Sequence, residues 1–163
     1  MTFDFNALVL KQAELDKLIH KNHNVDYQTT KRRRLLAFLV EFGELANATK
    51  TFKFWSLKPS ESRTRLLDEY ADGLHFILSL ALANDIQLPV FEQELEEGDL
   101  SEKFISCYQS IAEFAKIEDQ ISFYQAFSDF IALGQALSFT KQEIFAAYEN
   151  KLMVNYQRQK DNY

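Results

Sequence analysis

Four carboxylates set the chemical question in this chain. Glu41 and Glu44 stand three residues apart in "FLVEFGELA", and Glu69 and Asp72 repeat that spacing in "LLDEYADGLHFILSL". Residues three apart on a helix are neighbours on one face, about 60° apart around its axis. Ala37, Phe38, Leu45 and Ala48 share the side of the first pair, and Leu66, Gly73 and Phe76 that of the second. No side of the first helix reads as a solvent face, so its acids are expected to point inward. Burying ionised carboxylates is costly, and four facing one another repel unless cations sit among them. Hard divalent ions such as Mg²⁺ take oxygen ligands and leave positions for water or phosphate oxygens. The pattern therefore reads as a cradle for Mg²⁺, with Mn²⁺ as a substitute, bound to a polyphosphate. The competing reading puts the acids on two exposed faces, paired with arginines such as Arg65.

Positioning those acids requires helices, and helical periodicity accounts for nearly the whole chain. A first helix is expected from about Phe5 to His23, with Leu8, Leu15, Leu18 and Ile19 inward. A second starts near Thr29 or Thr30, both possible N-caps, and continues to about Thr49. Pro59 and Ser60 mark the start of a third, running to about Ala83, where Asn84 and Asp85 can end it. The acidic stretch "PVFEQELEEGDL" reads as a connection with a solvated surface and a short helical turn. A fourth helix begins near Ser101 and a fifth covers about Asp119 to Leu137. "TKQE", Thr140 to Glu143, is a capping box opening the last helix. The expected architecture is all-α, one domain over residues 1–163, a bundle of five to six helices.

Composition narrows the function. With 163 residues the chain can bury a sizeable core, and only four glycines and two prolines favour long helices over many short strands. The formal net charge of −6 argues against general nucleic-acid binding. "KRRR", Lys31 to Arg34, is the local exception; it reads first as a solvated helix face and second as a phosphate contact. Cys107, the single cysteine, excludes an internal disulfide and reads as a core thiol. The longest apolar run, "LHFILSLALA", is too short to span a bilayer, and the first residues lack signal-peptide character. A cytoplasmic location is the expectation.

"EFGELANATKTFKFWS" and "EYADGLHFILSL" resemble the dimeric, all-α dUTPases, relatives of the MazG-type nucleoside triphosphate pyrophosphatases. The resemblance runs from about Gln12 to Tyr163. It implies a homodimer that hydrolyses dUTP to dUMP and pyrophosphate, with Mg²⁺ held by Glu41, Glu44, Glu69 and Asp72. That reaction keeps uracil out of DNA and supplies dUMP. Lys151, Asn155 and Arg158 follow at i, i+4 and i+7 on the last helix, one face suited to phosphates. The family's ending reads roughly K-N-x-x-N-x-x-R-Q-x-x-G-Y; Lys151, Asn155, Arg158, Gln159 and Tyr163 match it, whereas Leu152 and Asn162 depart. By resemblance, Gln12 contacts the base and His75 lines the base or sugar pocket; His75 also reads as a core histidine. Trp55 reads equally as a nucleotide contact and as core filler.

Two other functions remain open on the sequence. The scaffold can serve another nucleotide, such as dCTP, or accept dUDP, because the base pocket decides and the chemistry acts on phosphates. Alternatively, "ISFYQAFSDFIALGQALSF" is rich in phenylalanine and suits a non-catalytic helical interaction module, although it reads mainly as core and dimer contact.

Overall fold

A computed structural model describes residues 1–92 and 98–161. The acidic run at 93–97 and the departures and matches at Asn162 and Tyr163 lie outside the described residues. Among those described, six helices form the domain: α1 (Asn6–His23), α2 (Tyr27–Thr49), α3 (Arg63–Ala83), α4 (Leu100–Ile117), α5 (Gln120–Ala136) and α6 (Lys141–Lys160). Two short strands, β1 (Thr2–Phe3) and β2 (Phe91–Glu92), pair antiparallel with Phe3 opposite Phe91. The fold is thus all-α apart from one clip that fastens the first residues to the α3–α4 connection. Periodicity gave no sign of that clip, because two residues per strand carry no alternation.

Capping chemistry fixes the helix starts. Asp26, rather than Thr29 or Thr30, caps α2: its carboxylate accepts the Thr29 N–H at 2.8 Å, and Thr29 answers as the third residue of a capping box. Ser62 caps α3 by accepting the Arg65 N–H, so Pro59 and Ser60 belong to the loop. Asp99, Asp119 and Thr140 cap α4, α5 and α6 in the same way. The stops use no glycine. Asn24, Lys50 and Glu118, the residues ending α1, α2 and α4, take left-handed φ of 51°, 57° and 57°.

Helix α3 is the axis of the domain: α1, α2, α5 and α6 all pack against it. Its Tyr70 stacks on Phe130 of α5, ring centroids 4.4 Å apart. Gly134 lets α5 approach closely, since a Cβ there would sit 2.6 Å from the Tyr70 hydroxyl oxygen. Phe38, Phe42, Phe123, Phe127, Phe130 and Phe139 are all buried. The phenylalanine-rich α5 segment is therefore core, not an exposed recognition patch. Exposed apolar residues gather on α2 (Leu36, Val40) and in the α2–α3 loop (Phe52, Phe54, Trp55, Leu57), while others, Ile121 at the start of α5 among them, are scattered.

That exposure corrects one expectation. Helix α2 is apolar nearly all round because part of its apolar surface is left uncovered, not because both acids turn inward. Glu41 is half-buried toward α3, whereas Glu44 is exposed.

Candidate active site

A cavity of about 760 Å³ opens between α1, α2, α3 and α6. Its lining includes Glu41, Glu44, Glu69 and Asp72, together with Lys151, Asn155, Arg158, Gln12 and His75. Both α2 and α6 pack against α3, which explains the convergence, since α3 contributes Glu69, Asp72, His75, Phe76 and Ser79 along one face. Trp55 is not brought in: it is 65% exposed, and its ring meets those of Phe52 and Phe54 edge-on.

The cavity has two chemically different ends. At the first, Glu41, Glu69 and Asp72 each offer a carboxylate oxygen, and these oxygens lie within 4.8 Å of one another. Glu44 lines the cavity but stands outside this three-acid group. Arg65 pairs with Glu69 one turn along α3. Lys151 reaches across from α6 to Asp72 Oδ2 at 2.7 Å and to Asp68 Oδ1 at 2.9 Å. Among the described residues Glu41 has no direct ion pair. Its pKa follows from that: burial, then the neighbouring charges of Asp72, Glu44 and Glu69, push it up to about 7. Burial also raises Glu69 and Asp72, opposed by Arg65 and Lys151 respectively. Burial pulls Lys151 down, but its bonds to Asp72 and Asp68 outweigh this and hold its charge on.

Three clustered carboxylates with a surplus of negative charge are a donor set of the hard-oxygen kind that divalent cations take. Lys151, Asn155 and Arg158 border the same end, so cation-binding and anion-binding groups face one space. Arg33 of α2 also lines the cavity and adds another positive group, from a run expected to be a solvated face.

The second end is neutral outward and charged beneath. Gln12 Oε1 lies 2.7 Å from His75 Nδ1 and accepts the Tyr148 hydroxyl at 3.0 Å. His75 Nε2 faces the Tyr148 carbonyl at 3.1 Å, and the imidazole stacks on the Tyr148 ring. Both ring nitrogens thus face oxygens, which favours the protonated ring. Burial acts more strongly the other way and drops the pKa to about 4, so His75 is neutral. Below Gln12 lies a buried ion pair that periodicity did not single out: Asp16 Oδ1 and Arg34 Nη1, 3.2 Å apart. Arg34 is therefore a structural cation and not part of a solvated face. A signal was present, since Asp16 follows Gln12 by four residues and Ser79 follows His75 by four, each pair sharing a helix face.

An all-helical domain whose cavity joins an acid cluster with a bordering row of cations to a neutral polar end is built for a phosphorylated organic ligand. The model of the dUTPase family matches residues 4–163, and the chain belongs to that family. It is an enzyme that hydrolyses dUTP. No curated protein matches the sequence. No helix among the described residues is long and apolar enough to cross a membrane.

Proposed function

We propose that the chain is a Mg²⁺-dependent dUTP diphosphatase that releases dUMP and pyrophosphate from dUTP. The observation that carries this is the convergence of Glu41, Glu69 and Asp72 within 4.8 Å beside Lys151, Asn155 and Arg158. Glu41, Glu69 and Asp72 hold the cation, and Glu44, at the rim, is the fourth ligand. A divalent cation there would polarise a phosphoryl oxygen and lower the pKa of water. Mn²⁺ is expected to substitute, since it accepts the same oxygen donors.

The protein's own groups bind and orient. Lys151, with Asn155 and Arg158 one and two turns along α6, directs positive charge and an amide donor at the phosphates. Gln12 and His75 receive the base and sugar at the neutral end, whose polar atoms are held by buried partners. Trp55 stands outside the cavity of its own chain, so of its two expected roles a contact with nucleotide would require a second copy. A homodimer is supported by the uncovered apolar residues Leu36, Val40, Phe54, Trp55 and Leu57. The reaction lowers dUTP and supplies dUMP in a cytoplasmic setting.

The test is release of pyrophosphate from dUTP, dCTP, dTTP and UTP, with Mg²⁺ and with EDTA, for the wild type and Glu41→Gln. Metal-dependent release from dUTP that collapses in the variant supports the reading. Release from dCTP at an equal rate would overturn the substrate, and full activity of Glu41→Gln would overturn the metal site.

A further inference from the structure

Asp16 is 1% exposed, yet it accepts four donors from three helices. Its Oδ1 takes Gln12 Nε2 at 3.0 Å and Arg34 Nη1 at 3.2 Å; its Oδ2 takes the Tyr27 hydroxyl at 3.0 Å and the Ser79 hydroxyl at 2.5 Å. Arg34 is fixed in turn: Nη1 donates to Ser79, Nη2 to His20 Nε2 at 2.6 Å, and Nε to Thr30 Oγ1 at 3.0 Å. A carboxylate can only accept. It therefore dictates which end of the Gln12 amide points toward it, and that end is the nitrogen. The oxygen end faces the Tyr148 hydroxyl and His75 Nδ1 on the other side, two groups that can each donate or accept, so Asp16 alone decides the orientation. Nε2 has two hydrogens and one protein partner, so what Gln12 offers the cavity is an N–H donor.

We infer that Asp16 is a positioning residue for base selection: it locks the Gln12 amide so that the cavity presents a donor, which accepts uracil and rejects cytosine. This rests on the assignment of Gln12 to the base end. Uracil carries a carbonyl oxygen at C4, where cytosine carries an amino group. A fixed donor bonds the first and meets another donor in the second, leaving buried polar groups unpaired. Thymine has the same carbonyl as uracil, so this device does not distinguish those two. Rejection of the thymine methyl has to come from pocket shape.

The experiment measures dissociation constants for dUMP, dCMP and dTMP by calorimetry on the full-length protein in Mg²⁺. Asp16→Ala removes the acceptor and lets the amide turn, so the dUMP-over-dCMP preference falls about tenfold or more while the dUMP-over-dTMP preference stays within about threefold. Asp16→Asn restores the preference to near wild type. Its amide oxygen replaces Oδ1, and the Tyr27 and Ser79 hydroxyls reverse to accept from its nitrogen. Should Asp16→Ala fail to fold with Arg34 unpaired, Asp16→Ala/Arg34→Met removes both charges and is expected to show the same loss. A purely structural role would weaken all three nucleotides together, or admit dTMP as well as dCMP, and either outcome overturns the inference. So does an unchanged dUMP-over-dCMP preference in Asp16→Ala or the double variant. Hydrolysis of dUTP by the wild type is assayed alongside: its presence with an unmoved preference overturns the role of Asp16 alone, and its absence overturns the site assignment too.

Discussion

Glu41→Gln is expected to change the pH dependence of stability in a direction opposite to ordinary acid denaturation. In the unfolded chain Glu41 ionises at its ordinary value of 4.5; in the fold it holds its proton up to about 7. Between those values the native state binds the extra proton, so stability contributed by the protonated group is complete below 4.5 and is lost as pH rises through 7. The full difference corresponds to at most about 3.4 kcal/mol. Glu41 is only half-buried and solvent screens it, so about 1–2 kcal/mol is the working figure. Glutamine has nearly the same shape and no charge. In EDTA the stability of Glu41→Gln minus that of wild type should therefore rise by about 1–2 kcal/mol from pH 5 to pH 8, or about 2–8 °C in melting temperature. Taking the difference matters, because His75 acts oppositely. Its pKa is lowered to about 4, so its contribution grows with pH up to the unfolded value of 6.5, and it cancels between the two proteins. Saturating Mg²⁺ should then stabilise wild type and leave Glu41→Gln nearly unmoved. Urea titrations at four pH values read the result. A stability difference that stays flat from pH 5 to pH 8 would refute the argument that Glu41 lacks a compensating cation.

Three further outcomes are expected. Lys151→Met removes the cation from Asp72 and Asp68, so metal affinity measured by calorimetry should rise about fivefold while kcat/KM for dUTP falls at least tenfold; a fall in both would count against the arrangement. Gly134→Ala, which in an open helix stabilises, should here cost about 1–3 kcal/mol in urea unfolding, because the Cβ would press on the Tyr70 ring held by its stack on Phe130. Cys107 is fully buried and its thiol is pushed well up by burial, so a thiol reagent should label it only after denaturation; native labelling within minutes would contradict the packing.

The helices were legible because each buries one face at a regular period, and α3 stands out because it is apolar on nearly every side. Their starts were harder where candidates crowd. At Asp26, Thr29 and Thr30 three side chains can cap, and the carboxylate wins with Thr29 completing the box. The carboxylate pairs on α2 and α3 were legible through spacing, but spacing alone did not tell that Glu44 remains outside the tight group. That depends on how α2 is rotated against α3, a tertiary quantity. Arg34 was misread for the same reason: a basic run looks like a solvent face unless a buried acid on another helix is known to meet it. Trp55 sits in a loop, where no periodicity says which way a ring points.

The ion pairs of Lys151 make the end of the chain a reporter on the cavity. The middle of α6 is tied to α3 by the stack of Tyr148 with His75 and by the reach of Lys151 to Asp68 and Asp72. The second tie includes Asp72, a carboxylate that a bound cation would also claim. Whatever fills the acid cluster must therefore alter how firmly the last turns of α6 are closed. Amide hydrogen exchange along residues 151–160 thus becomes a gauge of occupancy, readable without a substrate, a label or turnover.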